Sequence, residues 1–217
     1  MVYFDISHCT KCMSSVFLND DTAVAVVLVS KRLMMAIETI TLGGGCFWCI
    51  ESAFNQVEGV VSAFCGYSNG TATSVTYREV CSGTTGHAEV VQITFDDEVI
   101  SRREILEIFF ALHDPTQLNR QGNDVGTQYR GGIYYTSDAQ KNDALVIINE
   151  MKQMGVYDDP IVTEVVPLAN YHQAENYHQD YFNNNPSNAY CTMVVAPKLA
   201  KFKATFAKRL KSRQPTD

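Results

Sequence analysis

Apolar and polar positions alternate along this chain in short runs broken by glycine, and the period switches repeatedly between two and about 3.6 residues. Ala36 to Leu42 alternates as a strand and runs into Gly43-Gly44-Gly45. Cys46 to Val57 then carries helical spacing, with Phe54 and Val57 three apart and Gly59 closing the helix. Val60 to Tyr67 and Ala88 to Phe95 read as strands, separated by a polar, Ser/Thr/Gly-rich loop of about twenty residues, a length that in a compact domain usually serves function. Ser101-Arg102-Arg103-Glu104 is a capping box that opens an amphipathic helix through Leu112, with Pro115 helping to stop it. Ser137-Asp138-Ala139-Gln140 opens another helix, ending near Gly155, and Gly131 to Thr136 and Ile161 to Val166 are short strands on either side of it. Strand, helix, two strands, helix, strand is the order of a split βαβ unit. The prediction is an α/β (α+β) two-layer sandwich with a mixed sheet and a ferredoxin-like core. Beyond Pro186 the chain reads as loop up to Cys191.

At 217 residues the chain suits one domain with a sizeable core. The expected boundaries are an N-terminal extension of unknown role at 1–35, the domain at 36–197 and a basic amphipathic tail at 198–217. The apolar run Ala23 to Val29 is far shorter than the about 20 residues a membrane span takes, and Asp20 and Asp21 stand where a signal peptide would carry basic residues. The segment is expected to be an extra strand, a disordered extension or residues upstream of the usual start, with Met34 or Met35 as a candidate beginning. A composition of 46% hydrophobic and 19% charged residues excludes an overall disordered chain. Net charge is −7, but Lys198, Lys201, Lys203, Lys208, Arg209, Lys211 and Arg213 contribute +7, leaving −14 on the rest. An acidic body does not attract nucleic acid. Leu199, Phe202, Phe206 and Leu210 share one helical face of the tail, which is expected to pack on the domain with a solvated basic side rather than bind a membrane.

Seven cysteines, an odd count spread along the chain, argue against a secreted disulfide scaffold and for a reducing, cytoplasmic compartment. Cys46 follows the glycine turn at a helix start. Helix N-termini lower a thiol from about 8.5 into the range of roughly 3.5 to 7.5, so Cys46 is expected to be an acidic, nucleophilic thiol rather than a core cysteine beside Phe47 and Trp48. Cys49 completes a CxxC pair, which by itself fits a thioredoxin-like dithiol oxidoreductase. Cys9-Thr10-Lys11-Cys12 is a second CxxC, and four thiolates suit zinc, but the 33 residues between the pairs exceed the usual spacing of a zinc module. His172 and His178 lie six apart, unlike helical metal ligands, and read as polar helix residues, while His87 and His113 are expected to satisfy local hydrogen bonds. The triple glycine lacks the last glycine of a dinucleotide fingerprint, so neither metal nor organic cofactor is implied.

Five stretches in order, Gly45-Cys46-Phe47-Trp48, Tyr77 to Gly83, Gly86-His87-Ala88-Glu89, His113-Asp114-Pro115 and Gly122 to Arg130, resemble the A-class peptide methionine sulfoxide reductases over roughly Ile37 to Cys191. The resemblance implies that Cys46 attacks the sulfoxide sulfur and becomes a sulfenic acid. It matches Glu89 to the proton donor, a carboxylic acid held neutral by apolar surroundings. Phe47 and Trp48 would form an apolar wall for the substrate methyl, Tyr77 and Tyr129 would hydrogen-bond the sulfoxide oxygen, and Asp124 matches a polar residue of the same site. Cys191 matches the resolving thiol, delivered by a mobile coil, with Cys49 as the alternative. The reductant implied is thioredoxin, the substrate methionine-S-sulfoxide, free or in proteins, and the expected form a monomer.

Overall fold

The computed structural model describes residues 37–212; the readings for 1–36, the Cys9 and Cys12 pair among them, and for Arg213 fall outside the described residues. Strand β1 (Ile37–Gly43) sends Ile40 and Leu42, two apart, to one face of the sheet. It pairs antiparallel with β3 (Ala88–Asp96), and β3 pairs antiparallel with β2 (Val60–Ser68). Helix α1 (Phe47–Phe54) connects β1 to β2, so an antiparallel strand separates two parallel ones, as a split βαβ unit requires. On the other side of β1 lies β6 (Gly132–Tyr135), antiparallel to it. The long helix α4 (Asp138–Gln153) then crosses to β7 (Glu164–Pro167), parallel to β6, and the two-residue β8 (His172–Gln173) borders β2. The result is a six-stranded sheet in the order β7-β6-β1-β3-β2-β8; its mixed character and α/β class are as the sequence pattern predicts, while β8 lies outside the five strands read there.

Period-two alternation along β3 divides it cleanly. Val91, Ile93 and Phe95 join Ile40 and Leu42 in the main core, while Ala88 and Val90 pack with Tyr134, Val166, Leu168 and Tyr171 on the opposite face. The main core is completed by Ile50, Ala53 and Phe54 of α1 and by Ile105, Leu106, Ile108, Phe109 and Phe110 of α3 (Arg102–Leu112). Each fully buried side chain of this size is worth roughly 1.5–3 kcal/mol. The capping box opening α3 forms in both directions: Glu104 N–H donates to Ser101 Oγ at 3.3 Å and Ser101 N–H to Glu104 Oε2 at 3.1 Å. Helix α4 starts on Ser137, whose Oγ accepts from Gln140 N–H, and the buried Gln140 ties it to β1 through a 2.9 Å bond to Thr39 O. Helix α6 (Ala196–Thr205) lays Leu199 and Phe202 into the same core.

Several local readings need correction. The first helix is shorter than its spacing suggests and ends at Phe54. The polar loop contains helix α2 (Tyr77–Cys81), set by a second capping box between Thr76 and Glu79; one turn is too short to show a hydrophobic period. The stretch before Cys191 is not a coil. Helix α5 (Tyr181–Asn184) and a turn precede Asn188, whose Oδ1 accepts the N–H groups of Tyr190 at 2.9 Å and Cys191 at 3.2 Å and so caps a new helix. Its first part, Cys191–Val195, is a π turn in which Ala196 N–H reaches Cys191 O, just before Pro197, which has no N–H to donate. Cys191 is therefore buried, with 0% of its surface exposed. His172 lies in β8, and His178 sits buried at the end of a 3₁₀ turn, Asn176–His178, rather than on a polar helix face.

Candidate active site

The site forms where β1 hands over to α1. Gly45 takes φ +90°, and a Cβ there would stand 2.6 Å from Gln121 Cβ of the two-residue strand β4 (Arg120–Gln121), so glycine alone fits. The turn leaves Cys46 as the N-cap residue of α1, with 6% of its surface exposed. Glu89, second residue of β3, has the same parity as Val91, Ile93 and Phe95, and alternation therefore points it into the helix-covered side at the end of the sheet. It is 1% exposed and lies opposite Tyr67 of β2. Its carboxyl accepts the Phe47 N–H, the first amide of α1, at 3.1 Å.

That contact decides the electrostatics. Burial pushes Glu89 up to about 8, against the lowering effect of the Phe47 hydrogen bond, so the carboxyl holds its proton at neutral pH. The first amide of α1 is taken by Glu89, and no side-chain capping bond forms at Cys46. Burial, then the Cys49 sulfur and then Glu89 raise Cys46 well above an ordinary thiol. In the resting site Cys46 is thus raised rather than acidic as expected, with desolvation by burial the largest cause. Cys49, one turn on, is lowered, chiefly by the hydrogen bond from Cys46 and further by the charge of Lys198. Of the two sulfurs, Cys46 holds its proton the more tightly.

Around these groups lies a cluster of aromatic rings. Phe47 and Tyr77 stack 6.3 Å apart at 15°, and Trp48 lies within 6.5 Å of both. Tyr129, in the turn Thr127–Tyr129, feels the charges of Glu89, Asp124 and Cys46. Burial raises both Tyr77 and Tyr129, so both phenols stay protonated donors. Trp48, Cys49, Tyr77, Glu89, Asp124 and Tyr129 are therefore brought together with Cys46 and Phe47 as the motifs suggest. Cys191, next to Tyr190, is a free thiol in its buried π turn, raised by burial and by the charge of Cys49.

Sequence reasoning missed the residues that hold this arrangement. Glu175 accepts Tyr67 OH at 2.8 Å and Tyr77 N–H at 2.9 Å, fixing α2 against β2. His178 accepts Trp48 Nε1–H at its Nδ1 and packs 4.4 Å from Tyr77 and 5.1 Å from Phe47. Tyr181 covers one face of Trp48 at 3.9 Å and 8°, so only part of that indole faces the rest of the cluster. Tyr190 stands edge-on to Trp48 and donates to Asp124 Oδ2 at 2.7 Å. Glu51, on α1, accepts Asp180 N–H at 3.0 Å and is pushed up to about 7 by burial. A carboxylate two residues past a CxxC gives no local signal of this, because its partner lies 129 residues on.

The model of the family "Peptide methionine sulfoxide reductase" matches residues 38–210, and with the fold it defines the class: an oxidoreductase. The peptide methionine sulfoxide reductase MsrA of Natronomonas pharaonis is 51% identical over 175 residues, 81% of this chain and 98% of that protein. That of Trichodesmium erythraeum is 54% identical over 78% of this chain and 96% of its own. Reduced Mxr1 from Saccharomyces cerevisiae has a similar structure, with TM-score 0.65 and 37% identity over 72% of this chain and 90% of that one. The chain belongs to the peptide methionine sulfoxide reductase family.

Proposed function

We propose that this enzyme reduces methionine sulfoxide, free or in oxidised proteins, with Cys46 as nucleophile and Glu89 as proton donor. The observation that carries the reading is the pairing of a buried sulfur with a carboxyl that keeps its proton at neutral pH. As the Cys46 sulfur attacks the sulfoxide sulfur, Glu89 gives its proton to the oxygen and takes up the one leaving Cys46. The oxygen, now carrying a proton, passes from the substrate sulfur to the Cys46 sulfur as the transient S–S bond and the substrate S–O bond break; methionine departs as the thioether and Cys46 is left as a sulfenic acid, so the sulfoxide is reduced by the two electrons that Cys46 loses. Tyr77 and Tyr129 donate toward the oxygen as charge builds on it, and Asp124 belongs to the same polar rim. The cluster of Phe47, Trp48 and Tyr77 takes the methyl group. Fixed places for methyl, oxygen and attacking sulfur select one sulfoxide epimer, the S form by resemblance.

A second thiol then attacks the sulfenic acid, releasing water and leaving a disulfide. Cys191 is the favoured thiol, and its turn must open to reach Cys46; Cys49 is already beside it and remains the alternative. An external dithiol, thioredoxin by resemblance, returns both sulfurs to thiols. Cys46→Ser is expected to abolish turnover, and mass spectrometry of the parent after substrate without reductant should show Cys46 linked to Cys191. An active serine variant would refute the reading, and a Cys46–Cys49 link would reassign the second thiol.

A further inference from the structure

The Tyr190 hydroxyl has no place in the reaction just described, yet it lies inside the site. It donates to Asp124 Oδ2 at 2.7 Å and also reaches the Cys46 sulfur. Its ring stands edge-on to Trp48, 5.9 Å between centroids, while Tyr181 stacks on the indole face. Asn188, between them, hydrogen-bonds Tyr181 OH through Nδ2 and caps the turn of Tyr190 and Cys191 through Oδ1. Among the titratable groups, Cys49 and Tyr190 act on the Cys46 sulfur by hydrogen bonding and Glu89 through its charge. Cys49 and Glu89 belong to α1 and the central strand β3; Tyr190 alone rides on a surface turn, after the exposed Pro186, Ser187 and Ala189.

We propose that Tyr190 is a latch: in the resting enzyme its hydroxyl holds the side of Cys46 at which a sulfoxide arrives, and substrate must displace it to enter. The inference rests on Cys46 being the nucleophile. Tyr190 and Cys191 are adjacent and both of their amides bond Asn188 Oδ1, so the bond from Tyr190 to Asp124 also restrains the segment that carries Cys191. Displacing the latch is then the first movement of the turn that delivers the resolving thiol, and the second thiol is set free only when substrate is present. Tyr190 acts as a positioning residue, competing with substrate rather than reacting with it.

Tyr190→Phe keeps the ring on Trp48 and removes the bond to Asp124. Binding is read without turnover by the fluorescence of Trp48, the single tryptophan of the chain, during titration with free methionine sulfoxide. The comparison is between Cys46→Ser and Cys46→Ser/Tyr190→Phe. The latch predicts that the second protein binds about threefold to tenfold more tightly, and that Tyr190→Phe alone lowers KM by the same factor. An equal or weaker affinity, or a higher KM, overturns the latch while leaving the proposed reaction intact. Titrations in which neither protein binds would overturn the sulfoxide reading itself, and the latch with it.

Discussion

Replacing Glu89 by glutamine separates the two things the carboxyl does in this structure. The amide can still accept the Phe47 N–H that Glu89 accepts at 3.1 Å, but it has no proton to transfer. Moving a carboxyl from 4.5 to about 8 corresponds to about 5 kcal/mol in favour of the neutral form, produced mainly by burial. At pH 7 roughly nine-tenths of the enzyme then carries the proton, and at pH 9 about one-tenth. The single-turnover rate of methionine formation in the parent is expected to fall about tenfold between those pH values, since Cys46 titrates well above an ordinary thiol and supplies no compensating thiolate. Glu89→Gln should be slower by about 10² to 10⁴ at pH 7 and nearly flat with pH. Stability gives a second reading. With its pKa raised on folding, Glu89 binds more proton in the native than in the unfolded state between 4.5 and about 8, so the parent loses stability as pH rises through that window, by at most about 5 kcal/mol. The variant lacks this loss. A glutamine variant within threefold of the parent, or a parent rate that climbs through pH 8, would refute the assignment of Glu89 as donor.

Cys191→Ser is expected to reduce one equivalent of sulfoxide in a burst and then stall with thioredoxin; sustained turnover, measured by methionine release, would point to Cys49. Glu51, pushed up to about 7 where it accepts the Asp180 N–H, costs the native state stability as pH rises from 4.5 to about 7, on the order of 3 kcal/mol. Glu51→Gln should remove that slope in denaturant unfolding at pH 5 and pH 8, and identical slopes in the two proteins would contradict the burial argument. Gly45→Ala places a Cβ against Gln121 at φ +90° and is expected to cost about 1–3 kcal/mol and most of the activity, checked by thermal unfolding beside a turnover assay.

Local patterns in the sequence carry most of the fold. Alternation in β1, β2 and β3, the Ser101 and Ser137 caps, and the order of elements were enough to give the split βαβ core, because each depends on neighbours within a few positions. The residues grouped at the site were legible through the motifs around Cys46, Tyr77, Glu89, Asp124 and Tyr129. Period-two spacing even explains why Glu89 faces the core. Burial and long-range partners were not legible. Whether Cys46 is acidic depends on how completely water is excluded and on which groups fold beside the sulfur, and no helix-start rule contains either. The same holds for Cys191, where an asparagine cap and a π turn before Pro197 replace the expected coil. Glu51, Glu175, His178 and Tyr190 gain their roles only from partners about 65 to 130 residues away, since a hydrogen bond across the fold leaves no periodic trace along the chain.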